Sequence, residues 1–94
     1  MQEIRKIAVV MFTDIVGYSK FMSNNESNAL NILDTNQKFL RNSLKKYNGN
    51  LIKNIGDGSL SIFDSAVAAV ECGLKLIDQV NEYDQFKIRI GIHL

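Results

Sequence analysis

Two aspartates sit where apolar runs meet loops. In "FTDIVGYS" (12–19) a core-like stretch stops on Asp14 and opens into a segment with one glycine and two hydroxyl residues. In "KNIGDGSLSIF" (53–63) Asp57 occupies a Gly-Asp-Gly corner that leads into a second apolar run. Carboxylates placed this way can hold a divalent cation through oxygen alone. That donor set suits Mg²⁺ or Mn²⁺ rather than zinc, and Mg²⁺ completes its shell with water and substrate phosphate. The loop after Asp14 offers the complement, because backbone N–H groups of a tight turn and a helix start can point at a phosphate. Gly17 permits close approach and Ser19 adds a hydroxyl. No Walker A or dinucleotide fingerprint accompanies them, so such a phosphate site would depend on metal.

Each residue also has a plainer reading. Asp-Gly in a hairpin is ordinarily a turn, and Asp14 alone serves equally as an Asx-turn or helix-start residue. Lys53 by itself is a solvated strand lysine. His93 is a structural residue near the chain end, and Cys72, inside an apolar helix, is an inert buried thiol.

The elements that must position the aspartates follow from periodicity. "KIAVVMFT" (6–13) is β-branched-rich and of strand length. "SNNE" (23–26) has the form of a capping box, so a helix is predicted to start there. Leu30, Leu33, Leu40, Leu44 and Tyr47 share its stripe, widened by Ile32 and Phe39, and Gly49 is expected to end it in a left-handed conformation. "NLIKNI" (50–55) and "SLSIF" (59–63) flank the Gly-Asp-Gly corner as a hairpin. Asp64 or Ser65 can cap a further helix, with Ala66, Val70, Gly73, Ile77 and Val80 at helical spacing beside Val67 and Leu74. "FKIRIGIH" alternates, with Phe86, Ile88, Ile90 and Ile92 on one side and Lys87, Arg89, Gly91 and His93 on the other.

This order predicts an α+β fold, the ferredoxin-like βαββαβ sandwich, with a four-stranded antiparallel sheet of order 4-1-3-2 and two helices on one face. The end of strand 1 then lies beside the start of strand 3, which brings Asp14 and Asp57 to one edge. Two carboxylates with no cationic partner nearby in sequence repel each other, and a divalent cation offsets that. On the face opposite the helices, strand 3 is expected to offer Ser59, Ser61 and Phe63, and strand 2 Lys53 with Leu51 and Ile55.

Ninety-four residues suit a single domain, 1–94. A formal net charge of +1 gives no electrostatic case for nucleic acid as a partner. The longest apolar run, "IAVVMF", is far too short to span a bilayer. One cysteine and no signal-like segment point to a cytoplasmic protein.

Three stretches, "VVMFTDIVGYS", "LIKNIGDGSLSIF" and "KIRIGIHL", resemble in order and spacing the catalytic domain of the class III adenylyl/guanylyl cyclases. The resemblance implies that Asp14 and Asp57 are the catalytic carboxylates and bind two Mg²⁺ or Mn²⁺ ions, aided by the backbone carbonyl of Ile15. It implies that Val16, Gly17, Tyr18 and Ser19 hold the triphosphate, with Tyr18 and Ser19 in place of the usual Phe-Thr. Gly56 belongs to the nucleotide-binding corner. Lys53, four residues before Asp57, stands where adenylyl cyclases carry lysine and guanylyl cyclases glutamate, so ATP is the expected substrate. The reaction would be attack of the ribose 3′-OH on the α-phosphate, giving 3′,5′-cyclic AMP and pyrophosphate. Such domains pair, so a homodimer is expected.

The chain corresponds to the N-terminal portion of such a domain. The second base-selecting residue and the transition-state Asn and Arg would lie beyond Leu94, so these residues alone are expected to be inactive. The alternative is a metal- and nucleotide-binding regulatory domain derived from a cyclase. An RNA-recognition domain would need base-stacking aromatics on strands 1 and 3. A diguanylate cyclase would need a Gly-Gly-Asp/Glu-Glu-Phe turn, which "IGDGS" is not.

Overall fold

The computed structural model describes residues 8–94. Strand β1 runs from Val9 to Ile15, so Lys6 and Ile7 of the expected strand lie outside the described residues. It is followed by α1 (Tyr18–Asn24), α2 (Glu26–Lys46), β2 (Asn50–Ile55), β3 (Gly58–Phe63), α3 (Ala66–Tyr83) and β4 (Ile88–His93). The sheet order β2-β3-β1-β4 is the expected 4-1-3-2, with every neighbouring pair antiparallel. The ferredoxin-like expectation holds, with the short α1 as a third helix beside the expected two.

Alternation in β1 decides the two faces. Val9, Met11, Thr13 and Ile15 are buried, whereas Val10, Phe12 and Asp14 are not. Through the register Val9↔Phe63, Met11↔Ser61 and Thr13↔Ser59, the side chains of Ser59, Ser61 and Phe63 lie in the buried layer. The expectation that these three line the open face is therefore wrong. Leu60 and Ile62 line it, because antiparallel register ties the facing of β3 to that of β1. On β2, an irregularity between Leu51 and Lys53 shifts the register. Such a bulge breaks strict alternation, so Leu51 packs against the core while Lys53 and Ile55 stay exposed.

The helix boundaries and stripes differ from the periodic reading. Ser23 lies in the last turn of α1, and the cap of α2 is Asn25, whose Oδ1 accepts from Asn28 N–H at 3.0 Å. Ala29, Ile32, Asn36, Leu40, Ser43 and Leu44 are buried, while Leu30 faces out. At the far end Asn48, not Gly49, takes the left-handed region (φ 57°). Gly49 is needed for space, since a Cβ there would lie 2.6 Å from both Leu44 and Phe63.

Ser65 caps α3, accepting from Ala68 N–H at 3.2 Å. That helix turns Ala69, Cys72, Gly73, Leu76 and Val80 inward and leaves Val67, Val70 and Leu74 exposed. A Cβ on Gly73 would already be in contact with Ile90 at 3.6 Å. Burial pushes the Cys72 thiol up to about 11, which fits an inert core residue.

Candidate active site

The hairpin corner sits on the end of β1. Gly56 takes φ 59° and opens the turn. Gly58 serves differently: a Cβ there would run into the Thr13 backbone carbonyl, so only glycine lets β3 start this close to β1. Behind the site, the Thr13 and Ser59 hydroxyls share a buried hydrogen bond of 2.5 Å that joins the same two strands. Seated this way, Asp57 receives the Ile15 N–H on Oδ2 at 2.9 Å. Asp14 and Asp57 therefore line one open cleft of about 470 Å³ with Gly58, Arg89 and Phe12.

Gly58→Ala tests this seating. The clash is with backbone, which cannot swing aside, so the corner must lift. The expected result is a loss of roughly 1–3 kcal/mol in urea unfolding, with faster exchange of the Ile15 amide. Unchanged stability and exchange would mean the corner does not rest on β1.

Arg89 is the residue that sequence reasoning missed. Alternation put it on the open face, but β1–β4 register sets it directly opposite Asp14, 75 residues away. Its Nε donates to Asp14 Oδ1 at 2.9 Å and its Nη2 to Oδ2 at 3.2 Å. The guanidinium is held more firmly protonated by that hydrogen bond first, then by the Asp14 charge. Desolvation opposes this, and the Asp57 charge adds a smaller contribution in the same direction. The carboxylates thus do have a cationic neighbour, and their mutual repulsion is not by itself an argument for metal. The sequence signals were its place in the stretch "KIRIGIHL" and its side of the alternating strand, and neither fixes register.

The other expected site residues, Ile15, Val16, Gly17, Tyr18, Ser19, Lys53 and Gly56, do not line that cleft. Ile15 is buried, and the Val16 N–H is taken by the Lys87 carbonyl at 2.9 Å. Gly17, at φ 68°, is the N-cap of α1, and its carbonyl accepts from Lys20 and Phe21. The N–H groups of Gly17, Tyr18 and Ser19 have no backbone acceptor among the described residues. They are the loop's remaining donors, and Val16 is not one. Tyr18 packs against the core and Ser19 is exposed. Lys53 is not in the cleft. It stands exposed on the outer strand β2, opposite Leu60, which is opposite Phe12.

The donor chemistry fits a hard cation. Among the described residues no group of three or more His, Cys, Asp or Glu could enclose a metal. Two carboxylates lining an open cleft instead suit Mg²⁺, which keeps water and substrate phosphate as further ligands.

The sequence profile described as "Adenylate and Guanylate cyclase catalytic domain" matches residues 1–94. The chain belongs to that cyclase family. It is 34% identical over 93 residues to the serine/threonine-protein kinase pkn2 of Myxococcus xanthus, covering 89% of this chain and 11% of that protein. Among solved structures, the adenylyl cyclase CyaB from P. aeruginosa superimposes with a TM-score of 0.83 at 23% identity. That match takes in 98% of this chain and 57% of the other, and it shows the common fold. The adenylate/guanylate cyclase/hydrolase from Silicibacter pomeroyi gives a TM-score of 0.78 at 27% identity, over 94% and 56% of the two chains. The chain thus spans little more than half of these solved cyclases and about a tenth of the kinase. None of the helices among the described residues is long and apolar enough to cross a membrane.

Proposed function

We propose that these residues form the metal- and triphosphate-binding part of an adenylate cyclase that converts ATP to 3′,5′-cyclic AMP and pyrophosphate. The observation that carries the proposal is the meeting of Asp14 and Asp57, from distant parts of a cyclase-family chain, in one solvent-open cleft. Asp14, Asp57 and the Ile15 carbonyl would hold two Mg²⁺ or Mn²⁺ ions. When bound, these ions supply acidity at the ribose 3′-OH and neutralise charge on the phosphates. The chain's own part is positioning. The Ile15 N–H fixes the Asp57 carboxylate, and the amides of Gly17, Tyr18 and Ser19 are available to the triphosphate. In the reaction the 3′-oxygen forms a bond to the α-phosphorus in line as the bond to the β-phosphate oxygen breaks. The hydroxyl proton passes to water, and pyrophosphate leaves.

The open face supports a homodimer. Phe12 and Ile55 are 49% and 53% exposed there, beside Lys53 and the half-buried Val10, Leu60 and Ile62. An apolar patch around a lysine suits a partner surface. The similarity to a protein named as a kinase supports a second reading, a cyclase-derived nucleotide-binding module that regulates a neighbouring domain.

An assay of the full-length protein with Mn²⁺ separates the readings. Cyclic AMP from ATP is expected, with little cyclic GMP from GTP, and Lys53→Glu should erode that preference. The 94-residue chain by itself should turn over at least about 10²-fold more slowly. No product from either nucleotide would leave the regulatory reading.

A further inference from the structure

We infer that Arg89 is a built-in counter-ion of the metal site, which competes with a divalent cation for Asp14. The inference rests on the metal-site reading above and adds a residue that sets its affinity.

Both Asp14 carboxylate oxygens are engaged by the guanidinium fork, at 2.9 and 3.2 Å. A cation ligating either oxygen shares it with the guanidinium through the oxygen's second lone pair or displaces that bond. The pairing is set by backbone, since Asp14 and Arg89 are direct cross-strand partners in the β1–β4 ladder. The two side chains are 43% and 70% exposed, so the pair costs little to open. A buried pair would instead resist separation strongly.

Neither route removes the charge. Guanidinium keeps its proton in proteins, so Arg89 stays positive beside both carboxylates and opposes a bare cation. A cation arriving with phosphate brings an anion that the released fork can bind. Metal alone should therefore bind weakly, and metal with a phosphate compound more tightly.

The test is Mn²⁺ titration of this chain by electron paramagnetic resonance, at low salt and without nucleotide. Removing the opposing charge in Arg89→Gln should tighten Mn²⁺ by about tenfold. Arg89→Lys keeps the charge but gives up the two-point contact, and should tighten it by about threefold. Asp14→Asn should abolish binding. Circular dichroism checks the fold of each variant. Should Arg89→Gln fail to fold, the lysine variant decides, since unchanged affinity there also overturns the inference. If Arg89→Gln binds Mn²⁺ no more tightly than wild type while Asp14→Asn abolishes binding, the counter-ion role is wrong and the metal site stands. If Asp14→Asn binds like wild type, the metal-site reading itself fails, and this inference with it.

Discussion

Asp57→Asn should lose metal-dependent nucleotide binding and keep the fold. The substitution separates the two roles of this corner. Asparagine retains an Oδ1 that can accept from the Ile15 N–H, the contact Asp57 makes at 2.9 Å. Gly56 and Gly58, which shape and seat the turn, are untouched. Only the negative charge is gone. Residues that merely support metal ligands typically cost 10–100-fold in affinity when changed, so loss of a direct ligand should cost on the order of 100-fold or more. Asp57→Ala removes the acceptor as well, and leaving the Ile15 N–H unpaired should add a stability loss of about 1–3 kcal/mol. Calorimetric titration with Mn²⁺ and ATP, beside urea unfolding, reads both quantities. Wild-type affinity in Asp57→Asn would reduce Asp57 to a turn residue.

The second large effect is a rescue. Lys53 is two strands from β1 and two residues out of line with Asp14 through the pairs Lys53↔Leu60 and Phe12↔Leu60. Strand spacing and rise put the two backbones roughly 12 Å apart. A nucleotide held at Asp14 and Asp57 therefore need not meet the lysine of its own chain. In a homodimer with facing open sheets, each site would take its metals from one protomer and its base-selecting lysine from the other. In the full-length protein Asp57→Ala and Lys53→Ala should each be nearly inactive. Their mixture should recover about a quarter of wild-type activity, because half the dimers are mixed and each mixed dimer has one intact site of two. If mixed dimers form and the mixture stays inactive, each site is built within one chain.

Local chemistry made much of the fold legible. β-Branched runs, the alternation of β4 and the Gly-Asp-Gly corner are short-range signals. With the right-handed crossover rule they suffice for the strand order and for placing Asp14 beside Asp57. The helix stripes were less legible. In α3 apolar residues flank the buried stripe, so periodicity could not choose between Val70 and Ala69. Packing placed Ala69 in the core and left Val70 exposed beside Ile90 and Ile92 of β4. Likewise Asn25, not Ser23, caps α2, because α1 continues through Ser23 and the chain becomes extended only at Asn25.

The amino-acid sequence by itself determined the element order, the sheet topology and the approach of the two aspartates. Periodicity and turn chemistry act within a few residues, and topology rules do the rest. Only the tertiary structure decided facing and register. The β2 irregularity separates Leu51 from Lys53, and β1 pairing turns Ser59 and Ser61 inward. The β4 offset sets Arg89 on Asp14 rather than one pair further along. A single-residue slip leaves composition and periodicity unchanged yet moves every side chain across the sheet or out of reach. Register is therefore chosen by packing between elements, which no short segment contains.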